Sequence, residues 1–374
     1  MPTGLRMKSK LNSSGSLDMY LDEVDTGDLK PHEVVVKVEA APINPSDLGV
    51  MFGPADVDQA TAGTYEGRPM LSAPVDKSVL SRFKARLDKG LPLGNEGAGT
   101  VVEAGSSDEA QALMGRVVAT TGGMMYSEYV KVPAQSCLPL NDGNTAKEGA
   151  SSFVNPMTAL SMVETMKMEG HSALVHTAAA SNLGQMLNRI CQADGVPLVN
   201  VVRKPEQAKL LRDAGAKYVV DTSTDNFKEE LTDALAETGA TLAFDAVGGG
   251  KNATHILSAM EAALIRNATE YSVYGVTTHK QVYLYGSLDM GPTVLARNYG
   301  MFWGVGGWLL PPFLQKLGGE GTMRLRKRVA DELTTTFASN YTSEVTLAEM
   351  LDVKTAQAYQ RKATGEKYLV LPQG

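Results

Sequence analysis

The feature that most constrains the fold is a regular alternation of short apolar strands and helices in the middle of the chain. Strands are predicted at 173–177, 198–202, 218–220 and 242–247, and helices at 183–193, 206–214 and 227–237 lie between them. Near-continuous apolar strands that alternate with helices are typical of a parallel sheet covered on both faces. This region therefore predicts an α/β fold with a doubly wound parallel sheet, to which 282–285 adds one more strand.

The first third of the chain has a different rhythm. Short β-branched or apolar runs at 34–38, 100–103, 116–121 and 127–132 are separated by glycine-bearing turns, which favours a barrel or a sandwich. The tail has the same character, with a helix near Ala356 and a strand at 368–371. We therefore expect the parallel-sheet domain, residues 153–334, to be inserted between two parts of a β-rich domain, residues 1–152 and 335–374.

The segment from Pro54 to Leu91 has little periodicity and carries several basic residues. A long irregular stretch in a compact domain is usually a functional lid or an insertion. The alternative is a solvated loop with one short helix near 79–87. Both interpretations remain open from the sequence.

Composition narrows the classes of partner. The 374 residues have a net charge of −7, which provides no excess positive field for nucleic acid or an anionic membrane surface. No apolar run approaches the roughly 20 residues that cross a bilayer. Only Cys137 and Cys191 are present, and so few cysteines are typical of a cytoplasmic protein. We expect a small-molecule substrate, with no nucleic-acid or membrane partner.

The turn after the strand at 173–177 is suited to binding phosphate. It reads Thr177-Ala-Ala-Ala-Ser-Asn-Leu-Gly184, and small residues allow a ligand to approach the backbone N–H groups at the start of the next helix. Ser181 or Asn182 can cap that helix. A strict G-x-G-x-x-G is absent, so a well-capped turn without a ligand is the alternative.

The end of the following strand indicates which dinucleotide this turn binds. An NAD site places an acidic residue there to hold the ribose hydroxyls, whereas this chain has Arg203 and Lys204. Two cations suit the 2′-phosphate of NADPH. A solvated basic loop is the alternative. The order of strand, turn, helix, strand and cations predicts a Rossmann domain that binds NADPH.

Several segments together resemble the medium-chain dehydrogenase/reductase family, within it the zinc-free quinone oxidoreductases and 2-enoyl thioester reductases. The order in which these segments follow one another is more specific than any one of them. The segments are Ala41–Asp47, Gly94–Gly97, Val154–Ala159, Ser181–Gln185, Asn200–Arg203, Tyr285–Ser287 and Gly365–Lys367.

The resemblance implies a Rossmann doubly wound parallel sheet domain plus a GroES-like β-barrel catalytic domain. It also implies a set of residues near the NADPH cofactor. For two of these, Trp308 and Lys367, the alternatives are a core aromatic and a surface charge. The implied cofactor residues are Asn155, Thr158, Ala180, Ser181, Asn182, Leu183, Arg203, Lys204, Tyr285, Gly286, Ser287, Trp308 and Lys367.

The resemblance also bears on metal binding. The zinc enzymes of the family have His in a Gly-His-Glu motif, and this chain has Asn95 at that position, which is a poor zinc ligand. The region of Asn44 contains no cysteine. We therefore expect no metal. Reduction of a quinone or an activated alkene needs no Lewis acid, because hydride from NADPH adds to an already electrophilic carbon.

Asn44 and Tyr65 are the predicted catalytic residues. Asn44 belongs to the motif that lines the active-site side in the family. Enoyl thioester reductases have a Tyr shortly after this motif, whereas residues 51–55 contain none, which leaves Tyr65 as the nearest candidate proton donor and Tyr126 as a second. A loop aromatic without a role is the alternative for Tyr65. The missing Tyr favours quinones or other activated alkenes over fatty enoyl thioesters.

The leading hypothesis is therefore an NADPH-dependent reductase of quinones or activated alkenes. One alternative is a 2-enoyl thioester reductase, and another is an NADPH-binding protein of low turnover with a structural or regulatory role. The resemblance further implies a homodimer joined through sheet edges, for which the strand at 282–285 is a plausible edge.

Overall fold

The computed structural model describes residues 2–266, 268–361 and 365–374. It divides the chain into two compact units, one formed by Met1–Val154 with Arg326–Gly374 and the other by Asn155–Leu325. Residues 326–334, which we predicted to belong to the parallel-sheet domain, are part of the first unit. The Arg326 guanidinium donates to the carbonyls of Gln135 and Cys137, and Asn141 donates to the carbonyl of Ala330.

The strands and helices are numbered in chain order. The strands are β1 Thr3–Asn12, β2 Ser16–Asp25, β3 Glu33–Pro42, β4 Thr61–Tyr65, β5 Arg68–Pro74, β6 Gly90–Pro92, β7 Glu96–Ala104, β8 Val117–Thr121, β9 Tyr129–Pro133, β10 Leu138–Pro139, β11 Leu174–Thr177, β12 Leu198–Val202, β13 Tyr218–Asp221, β14 Leu242–Asp245, β15 Gly248–Gly250, β16 Lys280–Leu284, β17 Asp289–Thr293, β18 Trp303–Gly307, β19 Ser343–Thr346 and β20 Tyr368–Leu371. The α-helices are α1 Pro45–Met51, α2 Asp108–Gln111, α3 Ala146–Gly149, α4 Val154–Met168, α5 Asn182–Asp194, α6 Pro205–Asp213, α7 Phe227–Thr238, α8 Asn252–Arg266, α9 Leu310–Asp331, which is interrupted at Gly318, and α10 Val353–Gln360.

The first unit is built from two sheets. One has the order β4-β5-β2-β1-β6, and the other has the order β10-β8-β7-β3-β20-β19 with β9 also paired to β3. Alternate residues of the β1–β2 hairpin, among them Met7, Leu11 and Met19, are fully buried, which gives the period-two pattern of a sheet with one face on the core. The predicted β-rich first domain is confirmed.

The interpretation of 54–91 as an irregular stretch is wrong. β4 and β5 form an antiparallel hairpin that adds to β2, and β6 pairs with β1. The hairpin turns at Glu66 and Gly67, whose φ angles of 48° and 77° lie in the left-handed region that two-residue turns use. In place of the helix expected near 79–87, a 3₁₀-helix covers Lys77–Phe83.

The second unit contains the predicted parallel sheet. Its six strands have the order β13-β12-β11-β14-β16-β18, so the order reverses between β11 and β14. Every pairing in this sheet is parallel, and the strand and helix rhythm predicted from 173 to 247 is confirmed. Ligands of such sheets bind beyond the carboxyl ends of the strands, at the point where the strand order reverses.

The expectation that 282–285 forms a sheet edge is wrong. This segment falls largely in β16, which hydrogen-bonds to β14 on one side and to β18 on the other. β18 therefore forms the edge on this side of the sheet, among the strands of the described residues. Within the same residues, no helix combines the length and the apolar character that crossing a membrane requires.

Candidate functional site

The turn between β11 and α5 has the geometry of a phosphate-binding turn. Ser181 caps α5, with its hydroxyl oxygen accepting from the Gly184 N–H at 3.1 Å. A Cβ added to Gly184 would lie 2.1 Å from the carbonyl oxygen of Ala179, so a side chain here would push the helix away from the turn. Gly184 thus provides the close strand–helix packing that the last glycine of a G-x-G-x-x-G motif provides.

Ala178 gives this turn a strained backbone. Its φ angle is 51°, a conformation that is unfavourable for a residue with a Cβ. The Ser181 N–H donates to the Ala178 carbonyl at 2.9 Å, and the Ala179 N–H donates to Val201 on β12. Strain of this kind persists where the surrounding structure enforces it, commonly at ligand-binding turns.

Asp245 is a site residue that the sequence did not indicate. It is fully buried at the end of β14 and accepts from the Thr177 hydroxyl at 2.6 Å and from the N–H groups of Val247 and Gly248. The Thr177 oxygen in turn accepts from the Ala246 N–H. These bonds join the carboxyl ends of β11 and β14, next to the phosphate turn. In the sequence, Asp245 stands out only as part of an apolar strand.

Arg203 and Lys204 follow β12, the neighbour of β11. Both are exposed, and the backbone N–H of Arg203 donates to the side chain of Gln207. The two side chains therefore lie at the carboxyl edge of the sheet, next to the strand that leads into the phosphate turn. This placement matches the one expected of residues that bind a 2′-phosphate.

The remaining cofactor candidates of the second unit lie in α4 or after β16 and β18. Asn155 and Thr158 are buried in the first turns of α4. Tyr285 and Trp308 both pack edge-on against Phe244 of β14, and the Trp308 indole N–H donates to Thr165. Gly286 and Ser287 continue from Tyr285 at the same edge of the sheet. The role of each of these residues in cofactor binding stays a prediction.

In the first unit, Asn44 belongs to a buried polar network. Its side-chain amide donates to Glu96 at 2.8 Å, and the other oxygen of Glu96 accepts from the N–H groups of Phe153 and Val154. Asn44 is only 2% exposed, and Glu96 is fully buried. These contacts give Asn44 a structural role, and its predicted catalytic role stays untested.

Asp47 connects this network to a solvent-facing pair. Its carboxylate accepts from the backbone N–H groups of Asn44 and Asn95, both at 2.8 Å. Burial raises the pKa of Asp47 to about 7, against the lowering effect of these hydrogen bonds. The Asn95 side chain, in turn, donates to the exposed Ser46 hydroxyl at 3.0 Å. The sequence had pointed to Asn95 only as a missing metal ligand.

Lys367 lies inside the first unit. Its amine donates to the Ser151 hydroxyl at 2.7 Å and lies 5.2 Å from the centre of the Tyr341 ring. Burial lowers the pKa of Lys367 to about 8, although Glu96 and Asp47 act in the opposite direction. A surface charge, the alternative considered above, is thereby wrong. Contact with the cofactor stays a prediction.

The two candidate proton donors differ in accessibility. Tyr65 is half-buried at the end of β4, where its ring centre lies 4.3 Å from that of Tyr20. Tyr126 is fully buried, and its hydroxyl donates to the carbonyl of Pro42 at 3.0 Å. A substrate can therefore reach Tyr65 more readily than Tyr126.

Within the described ranges, no three His, Cys, Asp or Glu side chains come together as a metal site.

Comparison with protein-family models identifies both units. Residues 30–142 match the alcohol dehydrogenase GroES-like domain, and residues 183–297 match the domain called zinc-binding dehydrogenase. Together the two models match more than half of the chain, and they occur in the order of a two-domain dehydrogenase. The chain therefore belongs to the medium-chain dehydrogenase/reductase family.

Individual relatives have low sequence identity to this chain. The chain is 29% identical to a quinone oxidoreductase of Pseudomonas aeruginosa over 163 residues, which are 42% of this chain and 50% of that protein. It is 31% identical to the mitochondrial enoyl-[acyl-carrier-protein] reductase of Xenopus tropicalis over 241 residues, 60% of this chain and 58% of that protein. The matches thus span only between half and three fifths of these relatives.

Solved structures match over nearly the whole chain. A protein assigned as an NADPH:quinone reductase from Mesorhizobium loti superposes with a TM-score of 0.73 at 25% identity, covering 100% of this chain and 99% of the other. A mutant enoyl thioester reductase from Candida tropicalis superposes with a TM-score of 0.67 at 18% identity, covering 99% and 100%. These similarities confirm the predicted Rossmann and GroES-like fold.

The buried Asp47 carboxylate predicts a dependence of stability on pH. Its folded-state pKa of about 7 exceeds the ordinary unfolded value of about 4, so its contribution favours the folded state below pH 4 and is lost as pH rises towards 7. A difference of this size corresponds to about 4 kcal/mol. The melting temperature of Asp47→Asn, measured by calorimetry, should therefore rise relative to that of wild type as pH increases from 4.5 to 7.5.

Asp76→Asn is the matched control. Asp76 is fully exposed and accepts from the Ser78 N–H, which lowers its pKa, so its contribution to stability is lost as pH falls. This variant should show no relative gain towards neutral pH. If the melting temperatures of wild type and Asp47→Asn change with pH in the same way, the destabilising effect of the buried Asp47 carboxylate is contradicted.

Proposed function

We propose that this protein is an NADPH-dependent, zinc-independent oxidoreductase that transfers hydride to a quinone or an activated alkene. The observation that carries the proposal is the strained, small-residue turn at Ala178–Gly184, with the exposed cations Arg203 and Lys204 after the neighbouring strand. A dinucleotide pyrophosphate fits the N-terminus of α5, and a 2′-phosphate fits the two cations. The similarity to an NADPH:quinone reductase supports the same function.

The residues of the second unit have separable tasks in this proposal. The backbone from Ala180 to Leu183 would hold the pyrophosphate, and Arg203 would hold the 2′-phosphate. The Thr177–Asp245 hydrogen bond keeps β11 and β14 in register beside the bound cofactor. NADPH, when bound, supplies a hydride from its nicotinamide ring. An activated alkene would take the hydride at its electrophilic carbon and a proton at the adjacent carbon. A quinone would take up the same hydride and one proton from solvent, and it becomes the hydroquinone once both added hydrogens are on oxygen.

Zinc independence is proposed from the chemistry of the side chains. Asn95 and Asn44 occupy the places where a zinc site would need thiolate or imidazole, and both amides already take part in hydrogen bonds within the first unit. A neutral amide is a weak ligand for zinc. This donor set therefore supports a reductase whose substrate is activated by its own conjugation.

Cofactor preference gives the first test of the proposal. Arg203→Ala should weaken NADPH binding about ten- to a hundred-fold, because a charge-assisted pair to phosphate is lost, and should leave NADH binding nearly unchanged. Cofactor fluorescence titration measures both affinities. Lys209→Ala is the control, since Lys209 is an exposed cation that pairs with Asp213 on α6. Equal affinity of the wild type for NADPH and NADH would contradict the proposed cofactor.

A second candidate function is reduction of 2-enoyl thioesters. It is favoured by the similarity to enoyl reductases over 60% of this chain and by the accessible position of Tyr65. Tyr65 is the proposed proton donor for this reaction, and a donor of this kind typically contributes about 10²–10⁴-fold. A low-turnover NADPH-binding protein remains the third alternative.

Turnover with a quinone panel and with a crotonyl thioester separates these functions. We expect quinone turnover with NADPH in the wild type, unchanged within twofold in Tyr65→Phe, because solvent protonates the quinone oxygen. Alkene or thioester turnover should fall at least tenfold in Tyr65→Phe if Tyr65 donates the proton. Unchanged rates with every substrate would remove Tyr65 from the mechanism, and NADPH binding without any turnover would support the third alternative.

We also propose a cytoplasmic homodimer, joined through the edge strand β18 in place of the predicted edge at 282–285. Large apolar side chains are exposed beside this strand, including Met301 at 76% and Phe302 at 52%. An exposed strand edge with flanking apolar residues favours pairing with a second copy. Phe302→Glu should shift the dimer towards monomer in light scattering, whereas Met114→Glu in the first unit should not. A wild-type monomer at micromolar concentration would contradict this assembly.

A further inference from the structure

A histidine and a tyrosine form a hydrogen-bonded pair at the carboxyl edge of the parallel sheet. His176 is the third residue of β11 and is fully buried, whereas Tyr285 follows β16 directly and is half-buried. Nε2 of His176 lies 2.7 Å from the hydroxyl oxygen of Tyr285, and the two rings stack with their centres 5.7 Å apart. In the proposed function Tyr285 is only a neighbour of the cofactor, and His176 has no part.

His176 and Tyr285 together carry two polar hydrogens, and only one of them can be donated within the pair. Burial lowers the pKa of His176 to about 3, so the imidazole is neutral and carries one N–H. Burial also raises the pKa of Tyr285 far above its ordinary value, so the phenol keeps its O–H. One of these two hydrogens lies in the shared hydrogen bond. The other is free to be donated to an acceptor outside the pair, and a half-buried Tyr285 leaves room for a bound ligand to provide one.

The second hydrogen is better placed on the phenol than on Nδ1 of His176. Nδ1 is buried and has no hydrogen-bond partner within the part of the chain that the structure describes. A proton there would be an unpaired buried N–H, which is rarer in proteins than an unpaired acceptor. A hydroxyl hydrogen can instead rotate towards an available acceptor. Nε2–H then donates to Tyr285, and the Tyr285 O–H is left to donate elsewhere.

Asn200 provides the competing arrangement. It lies beside His176 in the register of β11 and β12, and its side-chain oxygen is also buried and unpaired among the described residues. No hydrogen bond joins Asn200 to His176 in the structure. A proton on Nδ1 directed at Asn200 would remove the surplus hydrogen from the phenol, so the tautomer of His176 decides between the two arrangements.

Tyr285 lies where a dinucleotide bound at the phosphate turn extends. Its backbone N–H donates to the Asp245 carbonyl at 3.1 Å, next to the point where the strand order reverses. A Cβ on Gly286 would lie 2.4 Å from the carbonyl oxygen of Ala246, so the backbone after Tyr285 packs closely against the end of β14. Ligands of doubly wound sheets bind in the crevice at this point.

We propose that the Tyr285 hydroxyl donates a hydrogen bond to the carboxamide oxygen of the cofactor's nicotinamide, and that His176 is the positioning residue for this hydroxyl. The proposal rests on the proposed function, because it assumes a nicotinamide cofactor at the phosphate turn.

Two ligands separate this contact from a general effect on the fold. Tyr285→Phe should raise the Kd for NADPH about tenfold and leave the Kd for adenosine 2′,5′-bisphosphate, which lacks the nicotinamide, unchanged within twofold. Tyr283→Phe is the matched control. Its hydroxyl donates to Glu169 at 2.8 Å, and its ring also packs on Phe244, so it should leave both affinities unchanged. An unchanged affinity of Tyr285→Phe for NADPH would overturn the proposal, and this result is expected if a water molecule is the acceptor. An equal loss of affinity for NADPH and for adenosine 2′,5′-bisphosphate would also overturn it.

The positioning role of His176 has its own measurement. Nitrogen NMR of the labelled protein should show the proton on Nε2, and a proton on Nδ1 would overturn the assignment in favour of the contact with Asn200. His176→Gln retains an N–H donor and should lose less NADPH affinity than His176→Leu. A wild type that binds neither NADPH nor adenosine 2′,5′-bisphosphate would contradict the proposed function itself, a result that is distinct from either failure above.

Discussion

The hydrogen bond between Thr177 and Asp245 is the interaction on which the arrangement of the second unit most depends. It joins the two strands between which the order of the parallel sheet reverses, and both partners are buried. The same two side chains also accept from three backbone N–H groups that follow β14. Because these groups are fixed, the turn at Ala178 retains a strained conformation that an isolated chain would not adopt.

The first unit uses buried carboxylates for a comparable purpose. Asp47 accepts from the backbone N–H groups of Asn44 and Asn95 and so holds their two motifs together, and Glu96 accepts from those of Phe153 and Val154. Ionised carboxylates are costly to bury, and the raised pKa of Asp47 reflects this cost. Groups held at such a cost are more common at functional sites than elsewhere. The pair that this network presents to solvent is Ser46 and Asn95, joined by a hydrogen bond between their side chains.

Much of the fold could be predicted because its signals are local. Apolar strands that alternate with helices identify the parallel sheet, and the small residues before Gly184 indicate the tight turn between β11 and α5. The hairpin of β4 and β5 was missed because Thr61–Tyr65 has little apolar character and its partner strand is only two residues away, across a turn at Glu66 and Gly67. The edge strand was misplaced because strand order depends on pairing between distant segments.

The contacts within the candidate site that the sequence did not indicate join such distant positions. His176 and Tyr285 are 109 positions apart, and Thr177 and Asp245 are 68 apart, so neither pair produces a motif. Lys367 and Ser151 are separated by 216 positions, and a basic residue near the end of the chain gives no sign that it is buried. Asn44, in contrast, is visible as part of a motif, but only the structure places it inside a network with Glu96.

A crystal structure of the protein with NADPH would show whether the turn after β11 binds the cofactor. We expect the pyrophosphate oxygens to accept from the backbone N–H groups at Ala180–Leu183, and the 2′-phosphate to contact the side chains of Arg203 and Lys204. A cofactor bound away from the turn that follows β11, or a 2′-phosphate in solvent with both cations unengaged, would contradict it.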